Sequence, residues 1–244
     1  MTRLLSLSLA LVSTLAVSGC DTGGNSSTAN KPTGAVAAPA GTNWIETFSA
    51  TPDGGMLRGN PEAAIKLVEY GALTCSHCAE FSEASKDGLN AMIASGKVSY
   101  EFRNFMLNVM DVPAALLARC GGAGPFFPIS EQMFATQADW LGKAQTITPA
   151  DQQAWANLQP EQLAPMLAQK LGLDAFVQAR GISADKAQAC LTDKKAIEQL
   201  GEITQRAQNE FNVTGTPTFV LNGKTVPNVA DWKSLEPVLK DAGA

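Results

Sequence analysis

The spacing of apolar and polar residues predicts a strand, a helix and a second strand in the N-terminal half of the chain. Residues 64–70 are almost continuously apolar, as in a strand buried on both faces, and residues 97–102 predict the next strand. A helix is expected between them from about Cys75, with apolar residues at helical spacing: Phe81, Ala84, Gly88, Leu89 and Met92. Residues 44–49 predict an edge strand ahead of this βαβ unit.

Residues 104–212 have a different pattern, with almost no β-rich run. The clearest helical signal is an apolar stripe at steps of three and four residues: Ala196, Leu200, Ile203, Ala207 and Phe211. Ser183 and Thr192 are candidate N-caps, and Gly and Pro residues interrupt the rest. We therefore expect a helical module of roughly four to six segments.

The C-terminal residues return to a strand pattern. Residues 218–221 and 224–226 predict a hairpin, because Asn222-Gly223 between them is a strong turn signal. A last helix is expected over residues 230–240. The prediction is an α/β domain in two segments around an all-helical insertion; the segments are 44–103 and 213–244, and the insertion is 104–212.

The N-terminus has the pattern of an export signal. Residues 1–19 contain an apolar stretch that suits a signal peptide and is too short to span a bilayer, although an N-terminal core helix is an alternative. The residues before Cys20 resemble the bacterial lipobox, which makes Cys20 the expected lipidation site; cleavage after Ser18 as an ordinary signal is the other option. Residues 20–43 then form the lipidated cysteine and a flexible tether, since their small polar residues cannot build a core.

Composition excludes several classes of function. The 244 residues contain 18 Lys+Arg and 23 Asp+Glu, and a net charge of −5 argues against a nucleic-acid partner. With one histidine, His77, the chain cannot form an HExxH site, a C₂H₂ finger or a His₃ metal site. The five cysteines are an odd number, which needs an explanation in an exported protein; lipidation of Cys20 leaves four.

The sequence Cys75-Ser76-His77-Cys78 is the candidate redox site, at the point where a buried strand ends and a helix begins. Unpaired backbone N–H groups and the helix dipole stabilise a thiolate at the first cysteine, and the two-residue spacing lets both sulfurs form a disulfide. A protonated His77 would add positive charge near Cys75. Half of a zinc site has the same spacing, but the sequence has no second CxxC; an inert structural disulfide is the other alternative.

Together, the strand, the CSHC motif, the helix, the helical insertion and the later sequence Gly215-Thr216-Pro217 resemble the thioredoxin-fold proteins of the DsbA type. The resemblance covers about residues 44–244 and implies a cis proline at Pro217 that lies against the active-site disulfide. It also implies that Thr216 presents its backbone to substrate. From its residues alone, a proline at an edge or at the start of a strand is the alternative interpretation of Pro217.

The resemblance further implies that Glu69, on the buried strand, assists proton transfer to Cys78. The alternative is a strand-end glutamate turned to solvent. The chain departs from the best-known family member at two positions: Ser76 stands where that protein has proline, and Thr216 stands where it has valine. Both positions tune the redox potential, so these departures leave the direction of electron transfer open.

Cys120 and Cys190 both lie in the helical insertion. Exported cysteines tend to pair, and a bond between these two would close a loop of about 70 residues, with an expected stabilisation of about 4 kcal/mol. Such a disulfide also resembles one branch of the DsbA family. Two free buried thiols are the alternative.

These observations predict an exported enzyme that oxidises substrate thiols through a Cys75–Cys78 disulfide, without a cofactor or metal. Its expected partners are exported cysteine-containing proteins and a membrane redox protein that returns the Cys75–Cys78 pair to its starting redox state. It is expected in the bacterial periplasm, held by the lipid anchor alone; Asp21 resembles an inner-membrane retention signal. The alternatives are an envelope thiol reductase or disulfide isomerase, and a non-enzymatic lipoprotein that binds peptides on the same scaffold.

Overall fold

The computed structural model describes residues 34–244, and their centre is a six-stranded mixed sheet. In chain order the strands are β1 Phe48–Ala50, β2 Met56–Gly59, β3 Ile65–Gly71, β4 Val98–Asn104, β5 Thr218–Leu221 and β6 Lys224–Thr225. Their spatial order is β1-β2-β4-β3-β5-β6, in which only β3 and β4 are parallel. The central position of β3 explains its near-continuous apolar sequence.

Helices cover both faces of the sheet. Helix α1 (Ser76–Ala94) connects β3 to β4, and α10 (Trp232–Ala242) follows the hairpin of β5 and β6. Both pack on one face through Phe81, Leu89 and Leu235. The opposite face holds Tyr70 and Val220 against the long helix α9 (Lys194–Phe211). The predicted βαβ unit, hairpin and final helix are confirmed.

The predicted edge strand at residues 44–49 is partly wrong. Trp44–Glu46 form a 3₁₀ turn that Asn43 caps, and only Phe48–Ala50 pair with β2. Strand β2 itself was not predicted, because its four residues include an arginine and a glycine and are too few to show alternation.

The insertion contains more helices than the expected four to six. Its eight α-helices in the described chain are α2 Asp111–Arg119, α3 Ala123–Ala135, α4 Gln137–Gly142, α5 Pro149–Trp155, α6 Pro160–Leu171, α7 Leu173–Gln178, α8 Ala184–Leu191 and α9. Proline starts α5 and α6, and left-handed Gly172 separates α6 from α7. Ser183 is an N-cap as predicted, but Thr192 ends α8, and Asp193 caps α9 instead.

Part of the predicted tether lies against the folded domain. The N–H of Val36 donates to the carbonyl of Ser95 (2.8 Å), and the indole N–H of Trp44 donates to the carbonyl of Val36 (2.7 Å). The folded chain therefore begins before residue 44. The predicted signal peptide and Cys20 lie outside the described residues. Within residues 34–244, no helix has the length and apolar character that crossing a membrane requires.

Candidate active site

The CSHC sequence occupies the turn from β3 into α1. Cys75 is the N-cap of α1, and Cys78 lies in its first turn. Cys75 keeps 7% of its surface exposed and Cys78 keeps none, whereas Ser76 and His77 are exposed. The two sulfurs therefore differ in access: a reagent or substrate reaches Cys75 first, and Cys78 lies beneath it.

The loop before β5 faces the Cys75 sulfur. The Cys75 thiol donates to the carbonyl oxygen of Thr216 at 3.2 Å. The Thr216–Pro217 peptide bond is cis, and Pro217 is buried. The Thr216 hydroxyl is buried and has no hydrogen-bond partner among the described residues, which leaves it able to donate to a Cys75 thiolate. The structure thus brings together two motifs separated by 141 residues.

The surroundings of the two thiols shift their pKa values in opposite directions. The pKa of Cys75 is lowered to about 5, mainly by a hydrogen bond from the Cys78 side chain. Burial opposes this shift. The Thr216 side chain and the backbone N–H groups of Cys78 and His77 lower the pKa further. Burial, followed by the hydrogen bond with Cys75, raises the pKa of Cys78 well above its ordinary value. At neutral pH the reduced pair therefore holds a thiolate at Cys75 and a thiol at Cys78.

The imidazole ring of His77 is exposed at the surface, as is Ser76. The stabilisation of the Cys75 thiolate that the structure assigns to His77 comes from its backbone N–H. A contribution from a charged His77 ring stays a prediction, as does tuning of the redox potential by Ser76.

Glu69 is buried on β3, 1% exposed, so the solvent-turned alternative is wrong. Its Oε2 accepts a hydrogen bond from the Tyr100 hydroxyl at 2.6 Å, and its Oε1 has no hydrogen-bond partner in the described chain. Burial raises the pKa of Glu69 to about 8, although the Tyr100 hydrogen bond opposes the shift. The carboxyl group is therefore mostly protonated at neutral pH, and a negative charge on it would raise the pKa of Cys78.

The raised pKa of Glu69 predicts a pH-dependent stability for the reduced protein. The ordinary pKa of 4.5 applies in the unfolded chain and the value of about 8 in the folded chain, so the folded state binds more protons between these values. The lowered pKa of Cys75 opposes this trend in the reduced protein, but Glu69→Gln keeps Cys75. Relative to that variant, the stability of the unaltered protein should therefore fall as pH rises through this window, by at least about 1 kcal/mol between pH 5 and pH 8. Urea denaturation of both reduced proteins at several pH values measures this. The same slope in both proteins would contradict the assignment.

Three polar residues near the site, the half-buried Tyr100 and the buried Asp111 and Gln137, were not identified from the sequence. Tyr100 on β4 shares with Glu69 the floor of a cleft of about 210 Å³ between α1 and α3. Asp111 and Gln137, from α2 and α4 of the insertion, hydrogen-bond to residues 73–75 ahead of α1. A tyrosine within a buried strand is only a weak sequence signal for a functional site. The sequence around Asp111 and Gln137 contains no motif that would have identified them.

The structure joins Cys120 and Cys190 in a disulfide with a Cα–Cα distance of 5.7 Å. The bond connects the end of α2 to α8 and lies within the helical insertion. Cys75 and Cys78 are free thiols. Across residues 34–244, no three His, Cys, Asp or Glu side chains converge as metal ligands.

The family described as thioredoxin matches residues 51–241. A Rickettsia typhi protein with the provisional name protein-disulfide oxidoreductase is 29% identical over 175 residues, which are 71% of this chain and 56% of the relative. The chain thus spans just over half the length of the Rickettsia relative.

Two solved structures support the same fold. Protein-disulfide isomerase from Novosphingobium aromaticivorans is 32% identical with a TM-score of 0.72, over 77% of this chain and 97% of that one. Alpha-DsbA1 from Wolbachia pipientis, at 21% identity, has a TM-score of 0.60 over 80% of this chain and 93% of its own. The chain therefore belongs to the thioredoxin family, and its fold is similar to that of alpha-DsbA1.

Proposed function

We propose that the chain is an exported thiol-disulfide oxidoreductase that oxidises substrate thiols through a Cys75–Cys78 disulfide. The observation that carries this proposal is the asymmetry of the pair, in which the more accessible Cys75 has a pKa of about 5 and the buried Cys78 has a raised pKa. A stabilised thiolate favours the reduced form of the enzyme, and an enzyme that is stable when reduced is a strong oxidant.

The reaction begins with the oxidised pair. A substrate thiolate attacks the Cys75 sulfur, the Cys75–Cys78 bond breaks, and the electron pair leaves on Cys78, which takes up a proton. A second substrate thiolate then attacks the substrate sulfur of the mixed disulfide and releases Cys75 as a thiolate. Two electrons pass from the substrate dithiol to the enzyme, and the substrate gains one disulfide. Glu69, protonated and buried near Cys78, is the proposed proton donor.

The backbone around Thr216 and Pro217 is the proposed substrate contact. The Thr216 carbonyl lies 3.2 Å from the Cys75 sulfur, and it is free to accept a hydrogen bond from a substrate N–H once Cys75 has no proton to donate. The substrates would be exported proteins with cysteines, and a membrane redox protein would reoxidise the reduced pair. Lipidation at Cys20 would hold the enzyme at the inner membrane, facing the bacterial periplasm.

The pH dependence of alkylation tests the proposal against a non-enzymatic peptide-binding lipoprotein. With iodoacetamide, the rate of Cys75 modification in the reduced protein should rise with a midpoint near pH 5, because the thiolate is the nucleophile. Mass spectrometry of the modified peptide separates Cys75 from Cys78. Cys78→Ala removes the largest stabilising hydrogen bond and should raise the midpoint. A midpoint above pH 8 in the unaltered protein would favour the non-enzymatic alternative.

A reductase or isomerase is the second candidate, and the similarity to a protein named protein-disulfide isomerase favours it. The reduction potential of the active-site pair distinguishes these directions. Equilibration with glutathione buffers should give a value close to that of DsbA, about −120 mV. A value close to that of thioredoxin, about −270 mV, would assign the chain as a reductase.

A further inference from the structure

The helical insertion reaches the active-site turn through a buried amide. Gln137 is the first residue of α4 and is 8% exposed. Its Nε2 donates to the carbonyl of Leu73 at 2.8 Å and to the carbonyl of Cys75 at 2.9 Å. Both N–H groups of the Gln137 amide therefore donate to carbonyls on either side of Thr74, in the turn directly ahead of α1.

A second residue of the insertion, Asp111, binds Thr74, the residue between those two carbonyls. Asp111, at the start of α2, is fully buried, and its Oδ1 accepts from the N–H of Thr74 at 2.9 Å. Its Oδ2 accepts from the Thr74 hydroxyl at 2.9 Å and from the N–H groups of Leu107 and Asn108. Two helices of the insertion therefore fix three consecutive residues that end at Cys75.

We propose that Gln137 is a positioning residue for the redox reaction, because its two hydrogen bonds hold the turn that directs the Cys75 sulfur at its stabilising partners. This inference rests on the proposed function and deepens it. The insertion then does more than cover the sheet: α4 supplies part of the geometry that makes Cys75 reactive.

The contacts of Cys75 explain how a distant amide can act on its sulfur. The Cys75 carbonyl also accepts a hydrogen bond from the N–H of Ala79 at 3.2 Å, the first hydrogen bond of α1. Gln137 therefore binds, from outside the helix, the same carbonyl that begins the helix. The N–H groups of His77 and Cys78 stabilise the thiolate only while this first turn keeps its orientation. Gln137 carries no net charge, so its effect is exerted through geometry.

Gln137→Met tests the proposal, because methionine has a similar length and lacks both N–H donors. The alkylation midpoint of Cys75 should rise by about one pH unit in the reduced protein, since the thiolate loses well-oriented partners. The equilibrium constant for reduction of the pair by glutathione should fall about tenfold, which corresponds to a potential about 30 mV lower. Gln137→Leu, which is also uncharged and lacks both N–H donors, should raise the midpoint as well and provides a second variant if the first folds poorly.

Trp140→Phe is the matched control. Trp140 lies on the same helix, is buried, and donates its indole N–H to the carbonyl of Met133 at 2.8 Å, away from the turn. It should lose stability without moving the midpoint. An unchanged midpoint in both folded Gln137 variants, or an equal shift in Trp140→Phe, would overturn the inference. A midpoint above pH 8 in the unaltered protein would instead overturn the proposed function.

Discussion

Replacement of Cys75 by serine should reduce catalysed disulfide formation in a reduced test protein to the uncatalysed background, at least about a hundredfold. Cys75 is the more accessible sulfur and the one held as a thiolate, whereas Cys78 is fully buried. A serine hydroxyl cannot form the mixed disulfide through which the electrons pass. The measurement is the rate at which free thiols disappear from the test protein in a glutathione buffer.

Cys78→Ser is the informative companion variant. It keeps Cys75 but removes the sulfur that displaces a bound substrate from Cys75. In the glutathione buffer, oxidised glutathione converts Cys75 to a glutathione mixed disulfide, and a substrate thiolate then displaces the glutathione thiolate. The resulting mixed disulfides with substrate should accumulate and be visible on non-reducing gels. Full oxidase activity in Cys75→Ser would refute the proposed mechanism. A mixed disulfide between substrate and Cys120 or Cys190 in Cys75→Ser would assign the reaction to a different pair of cysteines.

Removal of the disulfide in the insertion should lower the free energy of unfolding by about 4 kcal/mol. The bond connects residues 70 apart, so the unfolded chain loses much entropy when they are tied. The double variant Cys120→Ser/Cys190→Ser leaves no unpaired thiol in the insertion and is compared with the unaltered protein by urea denaturation under non-reducing conditions.

The single variant Cys120→Ser serves as a control, because it breaks the same bond and leaves Cys190 free for alkylation. Its stability should match that of the double variant. Equal free energies of unfolding for the double variant and the unaltered protein would show that the Cys120–Cys190 bond contributes little to stability. A dithiothreitol titration of a Cys75→Ser/Cys78→Ser variant, in which the active-site pair cannot contribute, should reproduce the same loss of stability.

Local patterns along the chain predicted much of the fold. The continuous apolar run of β3, the Asn222-Gly223 turn and the apolar stripe of α9 each depend on residues close in sequence, so their structures could be predicted without the tertiary fold. The CSHC motif is also local, because its chemistry depends on one strand end and one helix start. Short elements were predicted poorly: β2 has four residues, and α4 and α7 have six each.

The pairing of distant residues was not accessible from local pattern. Thr216 lies 141 residues from Cys75, and its position beside the sulfur came from a resemblance rather than from spacing. Gln137 lies 62 residues from Cys75 and has no marker in its own segment. Such contacts depend on how the insertion folds back onto the sheet, which many weak interactions decide together.

Neighbouring residues suffice to predict that a CxxC pair begins a helix after a buried strand, because both elements follow from local patterns. The difference between the two cysteines depends on the folded chain, because it comes from burial and from distant hydrogen bonds. Thr216 approaches Cys75 from beyond the insertion, and Glu69 lies buried beside Tyr100. A thiol pKa depends on the local dielectric and on the donors around the sulfur, and both are properties of the folded chain.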